Sequence, residues 1–288
     1  MTPPARALFI VGAGRAGRAL DAALAAAGET AVGIHGRRED ARPTAAPYSW
    51  GALSNAVHEA RVVLVAVRDQ DLDAALGSLV GRLAQGAAVL HLSGATEPRA
   101  LETLRALGHP CGTFHPIVPL AGAVGAAAIL RGAYVGVDGD EGAIATGEQL
   151  ARALGAHAVR IPPGEKPRYH AAAVFASNFP VVLAAEAERL LREAGIGGAD
   201  AHGIVGALLW GAAANVRSLG AGPALTGPAV RGDAGTVRSH VQALAGDELA
   251  TALYVTLTRA AAALTPNEHS TAVLGALNVI AARESKRL

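Results

Sequence analysis

The sequence predicts an α/β protein: a Rossmann-type doubly wound, mainly parallel sheet followed by a second, all-helical domain. Three observations predict it. A glycine-rich turn directly follows a first short apolar run, strand-like and helix-like segments alternate as far as about residue 162, and Ala/Leu-rich helical segments fill the rest. A chain of 288 residues has room for two domains, drawn here as residues 1–162 and 163–288.

Ala7 to Val11 is too short for a helix and is stopped at once by Gly12, as expected of a buried parallel strand. From Arg15 to Ala27 the apolar positions Ala16, Ala19, Leu20, Ala23, Leu24 and Ala27 fall at helical spacing, and Gly28 is a C-terminal stop. Further strands are predicted at Ala31–His35, Val62–Val67, Ala87–Leu92, Cys111–Phe114, Ala133–Val137 and Ala156–Ile161. Helices are predicted between them at Leu72–Leu83, Pro98–Leu107 and Glu141–Leu154. Beyond residue 162 the expected helices are Lys166–Ala194, Ala199–Leu219, Thr236–Ala245, Glu248–Leu264 and His269–Arg283.

Hydrophobic residues make up 51% of the chain and charged ones 17%, but the apolar residues are mostly alanine. No window reaches the run of about 20 bulky, charge-free residues that a bilayer span needs. Met1 to Arg6 leads into glycines rather than a cleavage site, so no secretory signal and no membrane are expected, and the location is read as cytoplasmic. The single cysteine, Cys111, excludes a disulfide framework and a cysteine zinc site; no metal is expected, and the thiol reads as a core residue. A net charge of +1 and few aromatic residues argue against a nucleic-acid partner.

Gly12-Ala13-Gly14-Arg15-Ala16-Gly17 matches GxGxxG between the first strand and first helix, the context in which that motif binds a dinucleotide. Gly12 permits the turn, Gly14 lets the backbone approach a pyrophosphate, Gly17 lets helix and strand pack closely, and Arg15 and Ala16 open the helix whose N–H groups meet the anion. The second strand ends in Gly36-Arg37-Arg38, with no carboxylate where an NAD enzyme holds the ribose. Two guanidiniums there suit a 2′-phosphate, so NADP is the expected cofactor; the alternative is a solvated surface pair. The loop from Val67 and the stretch around Ser93 end the next two strands and are candidates for lining the same cleft. His115, with Pro119 close behind, is either a polar substrate-site residue or a histidine satisfying loop backbone.

Lysine is rare: Lys166 and Lys286 stand against 23 arginines. Lys166 is therefore a candidate for something arginine cannot do, changing protonation state during catalysis. His170 lies one helical turn on, and Asn178 two further turns, in phase for the same face. The competing reading is a surface lysine and a capping histidine. Leu225 to His240 is dense in polar groups, among which Thr226, Arg231 and Thr236 are candidates for a substrate carboxylate, with Asp233 as a helix cap on the structural reading.

With GAGRAG, HLSGA at 91–95, FHPIVPL at 114–120, KPRYHAAAVFASNF at 166–179 and LTGPAVRGDAGTVRSH at 225–240, the chain resembles a Rossmann-like family of NADP oxidoreductases with a helical C-terminal domain of unknown function. In wider architecture it is similar to ketopantoate reductase, pyrroline-5-carboxylate reductase and the 3-hydroxyacid dehydrogenases. The resemblance implies a nicotinamide cofactor in the first domain, a homodimer through the helical one, and a small-molecule substrate between them. In two of those groups a lysine works with an asparagine one turn later; Lys166 matches the lysine, but His170 stands at the asparagine position. The implied reaction is hydride transfer from NADPH to C=O or C=N, with Lys166 and His170 protonating and Asn178 and Ser93 orienting. A 2-oxo acid of the ketopantoate type is the first expectation, a cyclic imine the second, and a non-catalytic NADP-binding sensor or scaffold the alternative from another class.

Overall fold

The computed structural model describes residues 7–29, 31–118, 126–264 and 271–277. The chain divides into two compact units, Met1–Ser177 and Asn178–Leu288. In the first, one sheet is built from β1 (Leu8–Val11), β2 (Ala31–Gly36), β3 (Tyr48–Trp50), β4 (Val62–Val65), β5 (Ala88–His91), β6 (Cys111–Pro116), β7 (Tyr134–Gly139) and β8 (His157–Arg160). Their spatial order is β3-β2-β1-β4-β5-β6-β7-β8. All neighbours are parallel except β6 and β7. The order reverses between β1 and β4, the crevice where such sheets bind ligands.

Five helices accompany the sheet: α1 (Arg15–Ala26), α2 (Leu72–Leu79), α3 (Glu102–Ala106), α4 (Ala126–Leu130) and α5 (Glu141–Ala153). Alternate residues of β1 enter opposite cores, Leu8 and Ile10 with Leu20, Leu24 and Ile34, and Phe9 and Val11 with Leu72, Leu76 and Leu79. That is why the strand is apolar throughout rather than alternating. Gly28, at φ +80°, lies just past the end of α1 and turns the chain back toward β2.

Two features depart from the sequence expectations. β3, paired with β2, was not foreseen, because three residues among prolines carry almost no periodicity. β7 runs antiparallel to β6. An antiparallel neighbour needs no helical crossover of full length, and α4 has only five residues.

The loop between β2 and β3 is held by α1. Buried Arg18 donates to the carbonyls of Ala13, Arg42 and Pro43 and pairs with Asp40, while Asp21 accepts from the N–H groups of Ala45 and Ala46. An apparent surface loop is thereby fixed against the glycine turn.

α6 (Lys166–Glu193) starts in the first unit and continues into the second, which also contains α7 (Gly198–Leu219), α8 (Ala221–Ala224), α9 (Pro228–Arg231), α10 (Ala234–Ala243), α11 (Glu248–Leu264) and a helical stretch at 271–277. The remainder of the helix expected at His269–Arg283 lies outside the described residues. Val237, Val241, Val273 and Leu277 form a core here, with Tyr254 and Val255 against it. Arg189 of α6 ties to Glu186, Glu193 and Asp247, and Asp247 in turn accepts from the Ala250 N–H at the start of α11. By length and composition α6 is apolar enough to cross a membrane, with mean hydropathy 1.2. That measure is reached largely through alanines and valines, not through a charge-free run of about 20 bulky residues.

Candidate active site

At the carboxyl ends of β1, β2 and β4 a cleft of about 440 Å³ is lined by Gly12, Gly14, Arg37, Arg38, Arg42 and Val67, among others. Gly12 has φ +109°, and a β-carbon there would lie 2.3 Å from the Ala66 carbonyl oxygen. A β-carbon on Gly17 would stand 1.8 Å from the Gly12 carbonyl oxygen, so the first turn of α1 rests directly on the strand exit. Around Gly14, by contrast, there is open space within 4 Å. The arrangement packs tightly on the protein side and leaves room on the other, as a pyrophosphate at a helix N-terminus requires. Arg15 is exposed and Ala16 half-buried at that terminus.

The ribose end of the cleft is cationic. Arg37 is 3.1 Å from Asp71, which also takes Arg68, and Arg42 pairs with Asp40. Arg38 has no ion pair among the described residues, and its carbonyl accepts from Tyr48 Oη at 2.5 Å. Gly36 makes room for that phenol, since a β-carbon would lie 2.2 Å from it. The group of residues therefore fits a dinucleotide bearing an additional phosphate. Arg42 and Tyr48 were missed from sequence; the aromatic pair in Tyr48-Ser49-Trp50 was the available signal.

A second cluster lies at the ends of β5 and β6 in the same unit. Lys166, expected either as a catalytic group or as a surface lysine, is fully buried, which overturns the surface alternative. Its Nζ donates to Thr113 Oγ1 at 3.3 Å. Burial lowers its pKa to about 8, against the opposing pull of Asp138, Glu97 and Asp69. Around it stand buried polar atoms without a hydrogen-bond partner: both ring nitrogens of His91, Oδ2 of Asp138 and Oε1 of Glu97. Burial, then the lysine charge, lowers His91 to about 4; the Glu97 backbone pulls the other way without reaching hydrogen-bond geometry. Burial raises the Asp138 carboxyl. Such groups call for internal water.

His115 Nδ1 is 2.8 Å from Tyr169 Oη, and its ring meets those of Tyr169 and His170 edge-on. Its backbone-satisfying alternative is replaced by this side-chain bond. Burial, followed by Lys166 and His170, lowers His115 to about 4. His170 Nδ1 is buried without a partner, so the capping alternative does not describe it. Ser93 is buried with its hydroxyl occupied: Oγ is 2.9 Å from Thr96 Oγ1 and accepts the Thr96 N–H.

Of the residues singled out from sequence, Ser93, His115, Lys166 and His170 thus gather in the first unit. Asn178, Thr226, Arg231 and Thr236 belong to the second. There Asp233 caps α10, accepting from the Thr236 N–H and hydroxyl at 2.9 and 2.6 Å, which engages Thr236 structurally; Arg231 and Thr226 are exposed. His91, Thr113, Asp138 and Tyr169 were missed, because only the closed sheet brings them to Lys166 and His115. Cys111 is a core residue as expected, its thiol pushed up to about 11 by burial.

Residues 7–93 match the family described as NADP oxidoreductase coenzyme F420-dependent, and residues 133–261 match the Domain of unknown function (DUF2520). No curated protein matches the sequence. Among solved structures, protein TM1727 from Thermotoga maritima is 23% identical with a TM-score of 0.70, covering 90% of this chain and 98% of its own. A pyrroline-5-carboxylate reductase from Coxiella burnetii gives 14% and 0.60 over 95% and 97%. A reductive aminase from Aspergillus terreus, in complex with NADPH and ethyl levulinate, gives 15% and 0.61 over 93% and 98%. At these identities the likeness is one of fold. Sheet order, glycine cradle and matched family together define a Rossmann-class nicotinamide oxidoreductase. The chain is an NADP-dependent oxidoreductase whose later residues form a DUF2520 region.

Proposed function

We propose that the protein reduces a small C=O substrate, of the 2-oxo acid class, at the Lys166 cluster. NADPH bound in the glycine cradle supplies the hydride. Gly12, Gly14 and Gly17, with the N–H groups of Arg15 and Ala16, hold the pyrophosphate, Val67 flanks it, and Arg38 and Arg42 hold the 2′-phosphate. The observation that carries the reading is Lys166: a fully enclosed ammonium without an ion pair among the described residues, poised to exist in either protonation state near neutral pH. A carbonyl gains hydride at carbon and a proton at oxygen, and Lys166 holds that proton. Because Nζ is enclosed, His170 passes it to the oxygen. The Ser93 loop orients the substrate. Lys166 and the histidine N–H groups are hydrogen-bond donors, which suits an acceptor oxygen.

Cyclic-imine reduction is the second reading, favoured by the fold likeness to pyrroline-5-carboxylate reductase and reductive aminase. NADPH oxidation followed with a panel of 2-oxo acids and cyclic imines decides between them; no turnover on either class, alongside normal NADP binding, returns the sensor alternative. Arg38→Ala and Arg42→Ala together are expected to weaken NADP binding about tenfold to a hundredfold while leaving NAD binding nearly unchanged. Calorimetry with both dinucleotides checks this, and an equal loss for NAD removes these side chains from phosphate recognition.

The protein is further proposed to act as a homodimer through its helical part. Trp210 is 79% exposed and Leu208 68% on α7, with Val181 and Val182 exposed on α6. Faces this apolar are covered in most proteins. Sedimentation velocity is expected to give a dimer that Trp210→Glu converts to monomer; a monomeric wild type removes the proposal.

A further inference from the structure

Tyr169 has no part in the reading above, yet the sheet makes room for it. A β-carbon on Gly136 of β7 would lie 2.4 Å from its phenolic oxygen. A β-carbon on Gly94 would lie 2.3 Å from His170 Nδ1 and 2.9 Å from both Cε1 and Nε2 of His115. Two glycines on different segments therefore admit three rings from β6 and α6 into one space. The far nitrogen of His115 and the unpartnered Nδ1 of His170 both border the Gly94 loop.

The hydrogen bonding fixes protons as well as rings. Tyr169 Oη lies 2.8 Å from His115 Nδ1, and among the described residues no other acceptor lies within hydrogen-bond distance of that hydroxyl. The phenol proton therefore goes to Nδ1, which is then the unprotonated nitrogen. The imidazole proton is left on Nε2, facing the Gly94 loop.

We propose that Tyr169 is a positioning residue that locks His115 as the neutral Nε2–H tautomer, giving the site a fixed hydrogen-bond donor for an acceptor oxygen of substrate or nicotinamide carboxamide. The oxygen it serves rests on the reductase reading; the tautomer does not. Other titratable groups facing His115 are Lys166 and His170 of α6, Asp69 after β4 and His91 of β5; burial, then the Lys166 charge, disfavours a second proton, so the neutral ring persists through neutral pH.

The test is nitrogen-detected NMR on full-length protein labelled at histidine, without substrate, with the His115 signals assigned by His115→Gln. Wild type is expected to show Nε2 protonated and Nδ1 bare at pH 7, and Tyr169→Phe, which keeps the ring, to show a mixture of tautomers. A wild-type His115 protonated on Nδ1, or on both nitrogens, overturns the proposal, as does a tautomer unchanged in Tyr169→Phe. Should that variant not fold, the wild-type phenol proton decides: a slowly exchanging hydroxyl coupled to His115 Nδ1 supports the lock, and its assignment to any other acceptor sinks it. With an active substrate in hand, kcat of Tyr169→Phe should fall about tenfold with KM little changed. If the tautomer is as stated and no carbonyl or imine is reduced, the functional reading fails and the lock stands.

Discussion

Gly17→Ala is expected to lose NADP binding altogether and to lower unfolding stability by about 2–3 kcal/mol. The added methyl would stand 1.8 Å from the Gly12 carbonyl oxygen and 3.4 Å from the Ala66 side chain. Neither the strand exit nor the first turn of α1 can move far, because Gly12 already adopts a left-handed φ and its N–H donates to the His35 carbonyl at 2.8 Å. Relief must come from displacing α1, which would also disturb Arg18 and Asp21 and so the loop they anchor. Gly14→Ala is the informative contrast. Its β-carbon meets nothing in the protein, so urea unfolding should be nearly unchanged while dinucleotide binding is lost through collision with the phosphates. Calorimetry with NADP beside urea unfolding of both variants separates the effects. Gly17→Ala binding NADP within about twofold of wild type would show that the cofactor does not rest on this turn.

That contrast also marks what the sequence could and could not convey. The roles of Gly12, Gly14 and Gly17 were legible because the physics is local: a turn, a helix start and a close approach within a few residues. The strands were legible for a similar reason, since β1 and β4 are buried on both faces and read as continuous apolar runs, and β5 is apolar up to His91. Arg18 was not, because nothing local marks an arginine in an arginine-rich chain as buried; its acceptors lie up to 25 residues away. Lys166 was visible only by its rarity. Its enclosure depends on Thr113, His91 and Asp138, which come from three strands, and no spacing in a single sequence records which strands become neighbours. The antiparallel β7 that carries Asp138 and Gly136 was hidden in the same way.

Lys166→Met carries the largest expected effect on turnover, a fall of about 10²–10⁴-fold in kcat on whichever substrate is reduced, with NADP affinity retained. Stability responds differently. The folded protein holds Lys166 near 8 rather than its ordinary 10.5, mainly through burial. Between those values the unfolded chain binds more protons than the native one, so stability rises as pH climbs from about 8 to 10.5. Below 8 both states are protonated and the full cost, on the order of 3 kcal/mol, is present. Methionine cannot titrate, so the variant should lack that rise, and at neutral pH it no longer carries the cost of an enclosed ammonium. His91 acts at the other end of the scale. Its neutral form, like that of His115, is favoured in the native state, so stability is complete above about 6.5 and declines as pH falls toward 4, less in the variant, where the lysine charge no longer opposes protonation. Urea unfolding from pH 4 to 10.5 therefore distinguishes the two groups: an alkaline rise that survives in Lys166→Met would mean that this amine is not held neutral by its surroundings, and unchanged kcat in the same preparation would remove it from the proton path.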